Sequence, residues 1–577
     1  MNQNNPEPGP DQSQPARSPM EKAIQTIVQS IDLAKIQDEH ARQCIVQLLN
    51  LVEKLAGELR KAQAENAFLR QQLGKGSGGK PNQPKGCEPG SAPQSTEHRR
   101  KEAKEWKKSS KLDKVRIDRE EKLTLDRSKL PADAESKGYE AVVVQELRIS
   151  TDNVRFLKEK YYSASEKQTY LAPLPEGYQG EYGPNVKSLC LLFSHLGNMT
   201  EPKIQEWFAN QEIVISAGQI SRFLTQGLEE LRQEKDDIVE AGLRSGPWQQ
   251  MDDTGTRVEG KNWHCHVLCN PLYTAYSTQP RKDRMTVIDV LRNQRPRIYR
   301  INEEALSLLR RWELPQKLMQ AVENLAGAQA RSGQEMEQCL EQIPALSPGW
   351  RARILEAALI AAYHSEVDHP VVGLLVCDDA KQYKLVTDEL ALCWIHDGRH
   401  YENLEPWVPE HRQQLDGFED RYWAYYHQLR AYREQPRPEE AARLSGEFDL
   451  LFATVTGYQE LDERIAKTRS DKAYLLLVLV HPEIPLHNND SELGGRLRVR
   501  KRVVSYGPRS KEGVQAWDTL ETLLGTAKKL GVNFFQYIRD RVSGRKQMPS
   551  LAELIRQRTP SLNLGASWAG SWRSPNY

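Results

Sequence analysis

Long apolar runs are missing from this chain. No stretch of eighteen consecutive apolar residues occurs, so no membrane-spanning helix is expected. The N-terminus, Met1–Ser18, is rich in Pro, Gln and Asn and lacks the apolar core of a secretory signal, which makes it a disordered lead-in. Charge of one sign is missing too. The 80 Lys and Arg meet 79 Asp and Glu, a formal net charge of +1, so the chain as a whole is not a basic nucleic-acid binder and charge has to be read segment by segment. Cysteine is sparse: the 8 cysteines, at 44, 87, 190, 265, 269, 339, 377 and 393, include no CxxC pair. In so long a chain this argues against a disulfide framework and fits a reducing cytoplasm.

What is present is a chain of 577 residues, 38% hydrophobic and 28% charged, a composition that fits a soluble globular protein. The length suffices for roughly three or four domains at about 150 residues each. The closest cysteine cluster is His264-Cys265-His266 with Cys269. On a strand, Trp263, Cys265, Val267 and Cys269 share one face and both histidines take the other. One metal would have to gather ligands from both faces, so a core strand is expected and a zinc site is the alternative.

After the lead-in (1–20), a coiled coil is expected over 21–74. Leu48, Val52, Leu55, Leu59, Ala62, Asn66, Leu69 and Leu73 form an unbroken heptad seam with Asn66 at an a position, the pattern of a parallel homodimer; the alternative is an amphipathic helix packed on its own core. Residues 75–122 read as a flexible linker that becomes basic, with 11 Lys and Arg against 6 Asp and Glu between Arg99 and Lys122. Residues 123–174 form a small β-rich region with strand-like runs at Glu140–Glu146 and Val154–Tyr162. Residues 175–243 are helical. Thr200-Glu201-Pro202 opens one helix and Ser216 another, a spacing that suggests helix-turn-helix with Gln219, Ser221 and Arg222 near the start of a DNA-recognition helix.

Alternating patterns at Trp248–Met251, Trp263–Asn270 and Tyr273–Thr278 mark strands of a core whose first segment spans 244–291. A helical insertion (292–369), a second core segment (370–405), another helical insertion (406–482), a third core segment (483–531) and a helical tail (532–577) follow. The run Val371–Cys377 reads as a buried parallel strand and Leu390–Ile395 as another. The expected fold is therefore an α/β core, a mixed sheet with two helical insertions.

Chemistry concentrates at acids. Asp252-Asp253 close the first strand and Asp378-Asp379 close the buried one, at the sheet rim where sites in α/β sheets form. An acid directly after an apolar run is costly to bury unless paired, solvated or metal-bound. Each pair alone also fits a turn or helix cap. His487-Asn488-Asn489-Asp490-Ser491-Glu492 precedes a stretch, Arg496–Lys511, with 7 Lys and Arg in 16 residues and no acid. Acids that hold divalent metal beside cations that hold phosphate suit in-line displacement at a phosphodiester, where two ions stabilise the attacking and leaving oxygens.

These motifs resemble the insertion sequence 66 family of bacterial transposases over roughly Lys160 to Ile538. The shared motifs are Asp252-Asp253-Thr254, Asp378-Asp-Ala-Lys-Gln-Tyr383, Cys393-Trp394-Ile395-His396 with Arg399, Asn488-Asn489-Asp490-Ser491-Glu492, Arg500-Lys501, and Thr526-Ala-Lys-Lys-Leu-Gly531. Departures are His487, where the family has Asp, Leu493, where it has Arg, and the absence of cysteine from Leu123–Leu174, where it carries a small zinc module. The resemblance implies a ribonuclease H-like core and a DDE-type transposase that cuts and joins insertion-element ends. Asp252, Asp378 and Glu492 would be catalytic ligands for Mg²⁺ or Mn²⁺, with His396, Arg399, Asn488 and Asn489 nearby. Arg496, Arg498, Arg500, Lys501 and Arg502 are expected on DNA. The partners would be element-end and target DNA and a second copy of the chain, with no membrane, in the bacterial cytoplasm and on the nucleoid. The alternative is a transposase-derived DNA-binding protein that has lost catalysis.

Overall fold

Five of the alternating or apolar runs become one sheet. In the computed structural model, residues 19–31, 33–73, 115–126, 134, 139–175, 177–178, 180–327 and 329–562 are described. A hairpin of β1 (Lys160–Ser163) and β2 (Gln168–Leu171) comes first. Strands β3 (Trp248–Val258), β4 (Lys261–Asn270) and β5 (Tyr273–Gln279) form an antiparallel meander. A short ladder of β6 (Ile298–Tyr299) and β7 (Arg331–Ser332) lies within the first helical insertion. Strands β8 (Leu374–Cys377) and β9 (Glu389–Leu392) then join the meander in parallel, giving the order β5-β4-β3-β8-β9. The molecule is thus α/β, with a mixed sheet and many helices, as the sequence led one to expect.

Both helical insertions form. The first holds Glu303–Arg311, Gln316–Glu323, Gly333–Glu341 and Pro348–His364, and the second holds Pro409–Glu434, Pro438–Leu451 and Gln459–Ser470. A continuous apolar core runs from Cys190 through the sheet and both insertions to Ile555, so these segments bury their apolar faces together.

The exposed edge of β5 is closed by side chains. Asp518, Thr522 and Thr526, on the helix Lys511–Lys529, accept from the backbone N–H groups of Thr278, Tyr276 and Thr274 at 2.7, 3.0 and 3.3 Å. The register works because four helical residues rise about 6 Å and two strand residues about 6.6–6.8 Å. A helix thereby satisfies the donors that an edge strand leaves open.

Several expectations need correction. The run Glu140–Glu146 is in no ladder, and Val154–Tyr162 contributes only its last residues to β1. Their apolar side chains, Val142, Val144 and Leu157 among them, face solvent, so alternation there had no core to answer. The first core strand does not stop at Met251; β3 continues to Val258 because β4 pairs with it throughout. The segment 21–74 is two helices, Pro19–Gln29 and Glu39–Leu73.

The longer N-terminal helix docks on the body through one side. Leu49 joins Val28, Leu33, Trp407 and Val408 in a small second core. Glu53, buried, accepts from the N–H groups of Trp407 (2.5 Å) and Val408 (2.9 Å) and meets His411 Nδ1 at 2.7 Å. Asn50 bonds Gly457 O and Gln459 N at 2.9 and 3.0 Å. Of the heptad positions, Leu48, Leu55 and Leu59 are 60%, 55% and 50% exposed, while Val52 packs against this second core. Asn66 donates to its own helix, at Ala62 O, 2.9 Å. Residues 1–18 of the lead-in, residues 74–114 and residues 563–577 of the tail lie outside the described residues, while Pro19 and Met20, counted with the lead-in, already belong to the first helix. Among the described residues no helix is long and apolar enough to cross a membrane.

Candidate active site

Register brings the first two acids together. Gln250 of β3 pairs with Val376 of β8, and both strands run the same way. Two residues on, Asp252 and Asp378 sit level on adjacent chains, at a strand spacing of about 4.8 Å. The parallel ladder with β8 ends here, while β3 continues against β4 alone. Asp252 is therefore in the middle of its strand, not at its end as the sequence suggested, but it stands where its neighbouring strand stops.

Glu492 arrives on the helix Asn489–Ser505, in the turn opened by the buried Asn488. Two glycines follow, and the helix continues through them. A Cβ on Gly494 would stand 2.7 Å from Val267 Cγ1, so the glycine is what lets the helix lie directly on β4. Tyr276 Oη donates to Gly494 O at 3.2 Å and fixes the contact.

The three acids share one electrostatic environment. Burial raises the Asp252 carboxyl most; the Asp253 N–H opposes it, the charges of Asp378, Glu492 and Asp253 add to it, and the group is pushed up to about 7. Asp378 is raised too, chiefly by burial, against the Ala380 N–H. Arg399 Nη2 lies 3.2 Å from Glu492 Oε2, and His396 Nδ1 lies 3.7 Å from Oε1. Burial lowers the His396 imidazole, with Glu492 opposing. Asn488 lies against His396, and the Asn489 N–H bonds His487 Nδ1 at 3.3 Å.

Glu492 Oε1 is buried without a hydrogen-bond donor, and burial, with the neighbouring negative charges adding to it, pushes Asp252 toward its neutral form. Carboxylate oxygens are the donors a hard divalent cation takes, and such an ion would offset both. Among the described residues, the one set of three ligand atoms within 4.8 Å of one another is that of Cys393, His396 and Glu492, not that of the three acids. Burial pushes the Cys393 thiol up to about 12, and soft sulfur is a poor match for a hard divalent ion.

The basic stretch splits. Arg496 and Arg500 are exposed and Arg502 is half-buried. Arg498 and Lys501, expected on DNA, are buried instead. Arg498 pairs with Asp518 and, through Nε at 2.9 Å, with Glu521. Lys501 bonds the Ser194 carbonyl and, at 3.0 Å, its hydroxyl. A period-2 run of cations on a helix points in several directions, and these two point inward.

Gln219, Ser221 and Arg222 lie on the helix Ala217–Thr225, whose N-cap Ser216 accepts from the Gln219 N–H at 3.2 Å. That helix packs on Glu201–Ala209 and Pro184–His195. Arg222 is exposed, while Gln219 and Ser221 are half-buried.

His264 and His266 do not join Cys265 and Cys269, whose thiols are buried on the other face; His266 Nε2 meets Arg281 O at 3.3 Å and His264 faces Asp253. Sequence reasoning missed Gln382, which donates to Asp253 Oδ2 at 2.9 Å, and the lysines beside Asp253 and Asp379. The doubling of both acids was the available signal.

Against this geometry stand the comparisons. The chain is 32% identical over 317 residues to the uncharacterized protein y4jO of Sinorhizobium fredii (strain NBRC 101917 / NGR234), an alignment that spans 53% of this chain and 94% of that protein. The chain belongs to the family of that protein. No family model matches it, and no solved structure does.

Proposed function

We propose that the protein is a DDE-type DNA transposase of the insertion sequence 66 kind, with Asp252, Asp378 and Glu492 holding divalent metal in a ribonuclease H-like core. The observation that carries the reading is the convergence of these three acids from two adjacent strands and a later helix, close enough for Asp378 and Glu492 to act on the Asp252 charge. Three antiparallel strands followed by two parallel ones, with Asp252 on β3 and Asp378 just past the end of β8, support that reading.

Metal bound there would supply charge stabilisation for the oxygens of the phosphodiester undergoing displacement. The chain's own residues would do the rest. Arg399 and His396 hold the Glu492 carboxylate at its place. Arg496 and Arg500, on the exposed side of the same helix, take backbone phosphates, and the Ala217–Thr225 helix reads DNA as the second half of a helix-turn-helix. The exposed heptad positions Leu48, Leu55 and Leu59 pair with a second copy, since the opposite side of that helix is already committed to the body. The protein would act in the bacterial cytoplasm on nucleoid DNA.

The test is nicking of supercoiled plasmid with Mg²⁺ or Mn²⁺ by the full chain and by Asp252→Asn, Asp378→Asn and Glu492→Gln. The reading expects metal-dependent nicking by the parent, background levels in all three variants, and DNA binding retained. DNA binding by the parent without nicking under either metal would leave a transposase-derived binding protein in its place. Sedimentation of the full chain beside Leu55→Glu/Leu59→Glu checks the pairing: a parent that is monomeric at tens of micromolar removes the dimer.

A further inference from the structure

Both proposed metal ligands are followed by a second acid, and the second acids have different partners from the first. Asp253, next along β3 and so on the other side of the strand from Asp252, faces Lys282 Nζ at 3.4 Å and accepts from Gln382 at 2.9 Å. Asp379 faces Lys384 Nζ at 2.7 Å and Lys467 Nζ at 3.3 Å. The three lysines come from three places: the turn after β5, the loop after β8, and the helix Gln459–Ser470 of the second insertion.

Lys282 stands close to the carboxylate cluster, since its charge acts on Asp378 itself, and Lys384 and Lys467 meet Asp379, the residue next to Asp378. They are also open: Lys282, Lys467 and Lys384 are 52%, 42% and 35% exposed. An ammonium has three donors, and an acid partner on one side leaves donors facing solvent. Lys467 is the most committed, with Asp471 also at 2.6 Å. The cluster is thus flanked by cations on two sides, with Arg399 and Arg496 beside Glu492 and the lysines beside Asp253 and Asp379.

We propose that Asp253 and Asp379 are positioning residues that hold Lys282, Lys384 and Lys467 as a clamp for the nucleic-acid phosphates next to the one being cleaved. The inference rests on the proposed function. It adds the substrate contacts on the side of the site away from Glu492, and it gives the doubled acids separate tasks, one toward the reacting phosphate and one toward its neighbours.

The experiment measures binding of a fluorescent mixed-sequence duplex to the full chain in EDTA over a series of salt concentrations, with a thermal melt of each variant. Lys282→Gln and Lys384→Gln are made singly and together. Each single variant should lower the slope of log K against log salt by about 0.9, and the pair by about twice that, as contacts to B-form phosphates are lost. The nicking KM for DNA should rise while kcat at saturating DNA changes less. Lys282→Arg should restore binding, because it keeps the charge. Parent-like slope and affinity in folded single variants would overturn the clamp and leave the transposase reading standing. If the paired variant melts early, the single variants decide. A parent that binds no duplex at low salt overturns both.

Discussion

One helix carries two kinds of cation. On its inner side, Arg498 and Lys501 are buried, the first against Asp518 and Glu521 and stacked 5.6 and 5.3 Å from the rings of Tyr276 and Trp517, the second against Ser194. On its outer side, Arg496 and Arg500 are exposed, with Glu492 4.0 Å from Arg496 as the nearest acid. In the sequence the four are indistinguishable members of one basic run. A basic stretch near a candidate site therefore divides by helical phase: some of its charge builds the scaffold that carries Glu492, and the rest faces whatever the site binds.

Arg498→Ala separates the two sides most strongly. It leaves two buried carboxylates without their cation, so it should destabilise the fold by roughly 3–5 kcal/mol, whereas Arg496→Ala and Arg500→Ala should stay within about 0.5 kcal/mol. Urea unfolding of the three variants decides, and equal losses would erase the distinction. Gly494→Ala tests the seating of the same helix. Its methyl would meet Val267, so we expect a loss of about 1–3 kcal/mol together with reduced nicking as Glu492 is displaced; an unchanged melt and unchanged nicking would mean the close approach is dispensable.

The inner lysine should also reveal itself by pH. Burial lowers Lys501 to about 8, with Glu521 opposing and Arg498 adding to the fall. Between about 8 and the ordinary lysine value near 10.4, the unfolded chain holds a proton that the folded chain does not, so this residue makes stability rise with pH across that window. Lys501→Met should flatten the rise, and a parent whose melting temperature falls no less than the variant's over that range would contradict it. The smallest effect on stability belongs to the outer pair. Arg496→Ala/Arg500→Ala should melt like the parent and lower the salt slope of DNA binding by about 0.9 per contact. A lowered melt with an unchanged slope would move these residues to the scaffold.

Asp378 and Glu492 stood out as candidates because their signals are local, an acid after the apolar run ending at Cys377 and an acid just before cations, whereas Asp252, taken to close its strand, stands mid-strand where its neighbour stops. The strands of the sheet were legible for the same reason, alternation of side chains across a half-buried surface. What stayed hidden depended on distant partners. Arg-Leu-Arg-Val-Arg alternates like a strand, and Gly494-Gly495 reads as a helix breaker until Val267 is seen beneath it. Arg498 finds Asp518 20 residues away, and Glu53 finds the backbone of Trp407 354 residues away, so nothing near either residue in sequence announces its burial. Glu53 lies off the heptad seam of its helix, and one seam residue, Val52, packs against the body as well.

Whether Asp252, Asp378 and Glu492 form one divalent-metal site can be read from crystals of the full chain soaked in Mn²⁺ and measured at the manganese edge. Anomalous density is expected among the three carboxylates, present in the parent and lost in Asp252→Asn. Density confined to His396 and Cys393, or a Glu492 carboxylate more than about 10 Å from both aspartates in a site that needs Mg–O distances near 2.1 Å, would contradict the shared site.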